Sequence, residues 1–515
     1  MILAMLIAIP LLAGLLSWPV SAVHRKAPFW LSLAAVGSDL LITAFIWANN
    51  SSNLVATRTN GQWLIDYRRD WMPQMGISIH LAIDGLSLIL VGLTAFLAIA
   101  AIVSSWSEIN ERIAFFHANL MFTISGILGV FLTIDLFLFY FFWELMLVPM
   151  YFLISIWGHE RRAYASMKFF IFTQAGGLLM LISILGIYFI HGKATGVYTF
   201  DYNQLIGFSL AQPETIWLMI GFVVAFAVKL PAVPLHPWLA DAHTEAPTAG
   251  SIILAGLLLK TGAYGFLRFV IPMFPAASAM IATPVMIIGT LSILYGAALA
   301  FSQTDFKRMV AYTSISHMGF VLLGIFSFNE LALQGTIAQI VAHGISTGML
   351  FLIAGALQER LHTRDLTLMG GMWSTAPRMG AVTLIFAVAS LGLPGTGNFV
   401  GEFLVLLGSW QANEAITAVA TMGLIGATVY AVWLMHVTFF GSAEVDRKFP
   451  DLSFREMVVA GIMIAAIIAM GMYPSPLFKI SGSSVQALTS EINTMRDASA
   501  AWHETHDTIK PGVTR

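Results

Sequence analysis

The sequence predicts an all-α polytopic membrane protein of about fourteen transmembrane helices, and three observations predict it. Only 10% of the residues are charged, against about 25% in a soluble domain. Hydrophobic residues make up 58%, and the mean hydropathy is +0.82. The apolar residues are gathered into stretches of about 20, the length that carries a helix across the hydrocarbon core of a bilayer.

In order, the stretches are roughly 2–22, 29–48, 83–106, 113–133, 136–157, 164–191, 215–239, 248–270, 279–301, 308–328, 332–357, 379–409, 414–440 and 456–474. Residues 1–22 lack a basic leader and a small-residue cleavage pattern, and read as a retained first helix. Residues 49–82 contain Arg68, Arg69 and Asp70, are too polar to span, and read as a surface loop. The tail after Tyr473 reads as interfacial or partly helical.

Two spans carry helix breakers at mid-depth. The seventh contains Lys229-Leu-Pro231-Ala-Val-Pro234, and the twelfth Gly392-Leu-Pro394-Gly395-Thr396-Gly397-Asn398. Proline removes a backbone donor and glycine relaxes the helix, so both should unwind there. In transporters, interruptions at corresponding positions of two halves mark an ion site between inverted repeats. The broken helices are five apart. This divides the chain into helices 1–3 (1–106), one repeat of helices 4–8 (113–270), an inverted repeat of helices 9–13 (279–440), and helix 14 with the tail (456–515).

Lys and Arg concentrate in loops on the cytoplasmic side. With the N terminus outside, fourteen fall inside, among them Arg25, Lys26, Arg161, Arg162, Arg360 and Arg364, and nine outside, mostly in the 49–82 stretch and the tail. Both termini are therefore predicted to be periplasmic, in a bacterial inner membrane. Lys307 and Arg308 read as anchors of this kind.

Several function classes are excluded. The chain has no cysteine, hence no disulfide, thiolate metal site or thiol chemistry. It has no basic patch interleaved with aromatics, so nucleic acid is not an expected partner. It has neither G-x-x-x-x-G-K-[ST] nor a strand followed by G-x-G-x-x-G, so it should not itself hold ATP, NADH or flavin. Energy must arrive through an ion gradient or a partner protein.

Four charges stand alone inside apolar spans: Glu144, Lys229, Lys260 and Glu402. An ionisable group at bilayer depth costs at least ~2.5–3.5 kcal/mol and persists mainly where it pairs, titrates or moves ions. Glu144 and Lys229 are natural partners: a switchable pair, or a static tie between helices five and seven. Lys260 has no acid nearby in sequence and reads as a reversible proton carrier, or else as a lysine snorkelling to the interface. Glu402 lies just beyond the second break and could be an exit acid, or an acid tied to backbone donors. His317 and His343 sit in spans flecked with Thr313, Ser314, Gln339 and Ser346. Histidine titrates near neutrality and passes protons along a polar chain, although a buried histidine can also be a structural hydrogen bonder. His236, Asp241, His243 and Glu245 lack the rhythm of a metal site. Their segment reads as the lining of a proton mouth.

Taken in order, Phe141-Phe-Trp-Glu144, the run from Lys229 to Thr248, Leu258-Leu-Lys260-Thr, the run from Thr304 to Gly319 and Gly395-Thr-Gly-Asn-Phe-Val-Gly-Glu402 resemble the antiporter-like subunits of respiratory complex I. The resemblance covers nearly the whole chain. It departs at His236-Pro-Trp-Leu-Ala240, where the family usually reads His-Gly-Trp-Leu-Pro. It implies a proton-translocating subunit of NADH–quinone oxidoreductase with fourteen helices in inverted repeats. Glu144 and Lys229 would be the ion pair and Lys260 the central carrier, linked through His317 and His343 to Glu402. NADH, FMN, Fe–S clusters and quinone would reside in partner subunits, beside neighbouring antiporter-like subunits and lipid. A subunit of a multi-subunit Na⁺/H⁺ antiporter shares the fold and is the alternative.

Overall fold

The computed structural model describes residues 1–50, 63–208, 210, 212–441 and 449–490. Of the charge tally, Arg58, Arg447, Lys448, Arg496, Lys510 and Arg515 lie outside these residues. The described chain forms fourteen long helical segments: α1 (Ile2–Ser21), α2 (Ala27–Asn50), α3 (Gly85–Glu108), α4 (Ile113–Leu132), α5 (Leu136–Trp157), α6 (Arg162–Thr195), α7 (Gln212–Lys229, then Pro237–Glu245), α8 (Thr248–Met273), α9 (Pro275–Phe301), α10 (Phe306–Phe326), α11 (Glu330–Leu361), α12 (Pro377–Ser390, then Gly397–Ala412), α13 (Glu414–Phe440) and α14 (Phe454–Met472). Twelve are long and apolar enough to cross a bilayer, and the other two are the interrupted α7 and α12. The predicted fold class and both breaks are borne out.

Of residues 49–82, the part from Ile65 differs from the expected surface loop. An antiparallel hairpin, β1 (Ile65–Met72) and β2 (Ile77–Ile83), turns at Gly76 with a φ of 68°. Six of the seven residues of β2, all but Ile79, are buried, so the strand is covered on both faces. His80 holds the hairpin to the chain after α6, through Asp66 on its own hairpin and Asp201 across the gap. Burial disfavours the charged imidazole, but the two carboxylates prevail and raise its pKa. Beyond α14, residues 475–490 are helical, in line with a partly helical tail.

A third interruption lies in α5, at Met146. Pro149 explains it, because a proline ring clashes with the carbonyl four residues earlier, here Leu145. In α8, two π-helical turns, Leu254–Leu258 and Phe266–Val270, bracket Lys260. Their wider winding leaves carbonyls short of ordinary partners.

The core is α4, α8, α10 and α11, buried on nearly every side, while α2, α6, α13 and α14 present apolar residues such as Leu41, Ile182, Ile425 and Ile462 outward. A helix apolar all round belongs inside such a bundle. Packing repeats with an offset of five helices: α6 lies along α7 as α11 lies along α12, and α4 packs on α5 as α9 packs on α10. Five is odd, so each helix of the second set runs opposite to its counterpart.

Candidate functional site: a buried polar line at mid-depth

The breaks leave backbone groups that apolar surroundings cannot satisfy, so the protein must supply partners. At the first break Trp238 Nε1 donates to the Val228 carbonyl at 3.0 Å, and Ser292 Oγ accepts from Val233 N at 3.1 Å. Pro237 occupies the first turn of the second half of α7, where a missing N–H costs nothing. This accommodates the departure from the family pattern and leaves Lys229 as the last residue of the first half. At the second break Gly392 takes a φ of 77°, and an added Cβ would lie 2.9 Å from Glu402 Oε2. The unwound segment thus admits the Glu402 carboxylate.

Lys229 is fully buried, and its Nζ makes no hydrogen bond within the described protein. It faces the Trp143 and Phe169 rings, 5.2 and 5.6 Å from their centroids. Glu144 lies close enough to interact with this charge but makes no salt bridge with it among the described residues, and takes Tyr140 and Gln174 as neighbours. The expected pair is therefore adjacent and open.

Lys260 is fully buried about 18 Å along α8, which removes the snorkelling alternative. Its Nζ donates to the Ala255 carbonyl at 2.5 Å and lies 2.5 Å from His343 Nδ1. Ala255 belongs to the first π-turn, so a local winding defect presents its carbonyl to the lysine. The His343 and His317 rings meet edge to face, centroids 5.5 Å apart. His317 Nδ1 lies 2.8 Å from Glu402 Oε1, and its Nε2 3.0 Å from Ser390 Oγ and 3.1 Å from Tyr430 OH. Gln339 Nε2 donates to the same Glu402 oxygen at 2.9 Å. Glu402 is thus tied to side chains of α10 and α11, and four sequence-predicted residues form one line: Lys260, His343, His317, Glu402.

Sequence reasoning missed part of the network. Lys307 is not an interfacial anchor: it is fully buried, donates to the Ala246 carbonyl at 3.0 Å, and lies 3.5 Å from His159 Nε2. Burial, and then the charges of Lys307 and Arg364, lower the His159 pKa to about 3, so this loop histidine is neutral. Glu108 accepts from Thr248 N at 3.0 Å and interacts with the Lys307 charge. His243, stacked on Phe351, lies within electrostatic reach of both Lys307 and Lys260. The other residues of that segment go separate ways. Asp241 pairs with Lys168 at 2.6 Å and Arg308 at 3.2 Å, and Glu245 accepts from Arg161 N at 2.9 Å. Asp39 was also missed, although it is the only charge between Lys26 and Arg58. It is fully buried, with neither carboxylate oxygen hydrogen-bonded among the described residues.

Twelve apolar spans, two broken helices and a buried line of titratable groups define an antiporter-like membrane subunit. The family model described as NADH:quinone oxidoreductase/Mrp antiporter, TM, matches residues 133–428. NADH-quinone oxidoreductase subunit M of Pseudomonas aeruginosa is 50% identical over 95% of this chain and 97% of its own. The chain belongs to the NADH-quinone oxidoreductase subunit M family. Among solved structures, a chain of respiratory complex I from Thermus thermophilus with bound NADH superimposes with a TM-score of 0.85 at 29% identity, covering 96% of this chain and 100% of that one. A chain of the Mrp complex from a Dietzia species reaches 0.81 at 21% identity, covering 95% and 99%, and shares the fold.

Proposed function

We propose that the chain is the M subunit of a NADH–quinone oxidoreductase and carries protons across the bacterial inner membrane, both termini periplasmic, driven by redox chemistry in other subunits. NADH, FMN, Fe–S clusters and quinone belong to those partners. Neighbouring antiporter-like subunits and lipid surround this chain. The observation that carries the reading is the contact series from Lys260 through His343 and His317 to Glu402, buried throughout and spanning three helices besides α8.

Lys260 is the carrier, the histidines relay, and Glu402 is the exit acid. A signal from a neighbouring subunit changes the distance between Glu144 and Lys229. Released from Glu144, the charge on Lys229 repels a second positive charge on Lys260, and the proton leaves toward Glu402. Moving one charge against 100 mV costs about 2.3 kcal/mol, equivalent to a change of about 50-fold in proton affinity. The two five-helix sets, 113–270 and 279–440, act as inverted repeats about this line. In the rival reading, a multi-subunit Na⁺/H⁺ antiporter, the chain would co-purify with small antiporter subunits instead of NADH dehydrogenase subunits.

The test is NADH-driven proton uptake and quinone reduction in membrane vesicles carrying Lys229→Ala, with assembly checked in parallel. With assembly intact, both activities are expected to fall by about tenfold or more, a loss of ~1.4 kcal/mol of coupling. Wild-type rates would make the buried charges packing devices and end this mechanism.

A further inference from the structure

A cavity of about 350 Å³ opens at the face that carries the N terminus, the outer one in the orientation proposed above. Its walls include Asp84, Leu333, Ile337 and Arg268, and the C-terminal residues Ser484 and Leu488 roof it. Two helices measure how far its floor lies from the carrier. Arg268 is eight residues along α8 from Lys260, or ~12 Å, and Ile337 is six along α11 from His343, or ~9 Å. The cavity therefore stands directly over the Lys260–His343 contact. A proton on Lys260 thus faces a second way out, through this cavity, besides the one through His317 and Glu402.

That second way is filled by a positive charge held from three sides. Arg268 Nη2 donates to Asp84 Oδ2 at 2.5 Å, and its Nε donates to Tyr264 OH at 3.3 Å. The Trp63 ring covers the guanidinium, 4.7 Å from its centroid. Tyr264 OH in turn donates to the Phe131 carbonyl at 3.1 Å and meets Ser87 Oγ at 3.3 Å. Asp84 is fastened on the far side, where Oδ1 accepts from Ser87 N at 2.9 Å and Oδ2 from Ser484 Oγ at 2.8 Å. Tyr264 lies one turn toward Lys260, whereas Asp84 caps α3 at the cavity rim. The ion pair is thus a dipole with its positive end toward the carrier. A fixed arginine in a narrow pore excludes protons and cations.

We propose that Arg268 is a charge barrier that closes the direct outer route and confines the proton on Lys260 to the path through Glu402. Asp84 and Tyr264 are positioning residues for it, and the C-terminal helix latches the assembly through Ser484. This rests on the reading of Lys260 as the carrier.

The experiment measures passive proton conductance without NADH, as the decay of an imposed pH gradient in liposomes containing the whole purified complex. Arg268→Gln is expected to raise it by up to about tenfold, the Boltzmann factor for two unit charges ~12 Å apart at an effective dielectric of ~20. Arg268→Lys keeps the charge and should leave the conductance unchanged. Asp84→Asn breaks the ion pair but keeps the arginine charge, and should raise the conductance by no more than about twofold. Equal leaks in Arg268→Gln and Asp84→Asn would overturn the barrier in favour of a merely structural pair. Tyr264→Phe, which of the bonds to the guanidinium removes only that of Nε, should give a rise of about twofold. It carries the test where Arg268→Gln does not assemble, and no rise in either variant overturns the proposal. In the double variant Arg268→Gln, Lys260→Ala the leak should vanish. A leak that persists runs by another route and also overturns it. Failure of the carrier reading is separately visible, as normal NADH-driven pumping in Lys260→Ala alone.

Discussion

The two five-helix sets share a packing scheme and treat their buried charges in opposite ways. In the second set Glu402 Oε1 is bonded to His317 and Gln339, and His317 to Ser390 and Tyr430, although Glu402 Oε2 has no hydrogen bond among the described residues. In the first set Lys229 rests between aromatic faces, and Glu144 Oε1 has no hydrogen bond among the described residues. Aromatic faces attract a cation without fixing its direction, whereas a hydrogen-bonded carboxylate is fixed in place. In the proposed mechanism the first set lets a charge move and the second holds a path still. Lys260, on α8 of the first set but bonded to His343 of the second, joins the two.

Breaking that joint should have the largest effect. Lys260→Gln keeps a polar group of similar reach between the Ala255 carbonyl and His343, but it cannot carry a proton. NADH-driven proton uptake is expected to drop by about tenfold or more, with the complex assembled. Uptake at the wild-type rate would remove Lys260 from the path and leave the line of contacts as packing.

The rigidity of the second set can be tested by crowding it. At Gly401 an added Cβ would stand 2.6 Å from the backbone nitrogen of Gln339. Backbone cannot step aside, so α11 and α12 must separate. Gly401→Ala is expected to destabilise the folded subunit by about 1–3 kcal/mol, the usual cost of overpacking. The readout is a lower midpoint for thermal dissociation of the purified complex, and an unchanged midpoint would show that these helices are not held at that spacing.

Glu144, Lys229, Lys260 and Glu402 were legible in the sequence because a charge inside an apolar span is conspicuous without any knowledge of contacts. The breaks in α7 and α12 were legible for the same kind of reason, since Pro and Gly act locally. The α5 interruption at Met146 had its signal too, in Pro149. So did β2, in the alternation of Ile77, Ile79, Leu81 and Ile83. What the sequence hides is pairing across distance: His343 is the partner of Lys260 from 83 residues away, and Tyr430 reaches His317 across 113. Lys307 was misread because it stands beside Arg308 at a helix start, where anchoring and burial look alike. Only packing against Ala246 and Glu108 separates them. The π-turn that exposes the Ala255 carbonyl leaves no mark in the residues Leu254–Leu258.

The mobility of the first set can be tested with the same substitution that strains the second. At Gly177 on α6 an added Cβ would lie 2.7 Å from Glu144 Oε1, with Trp143 Nε1 next at 3.6 Å. The nearest atom is the end of a flexible carboxylate, so the methyl group displaces Glu144 and leaves the helices where they are. The displaced carboxylate loses its place beside Gln174, one turn earlier on α6, and its distance to Lys229 changes. Gly177→Ala should therefore assemble normally, with a thermal midpoint equal to that of the wild type, and lower proton uptake by about twofold, equivalent to ~0.4 kcal/mol. A loss of assembly comparable to that of Gly401→Ala would show that the first set is as tightly registered as the second. Unchanged uptake would show that the position of Glu144 does not set the coupling.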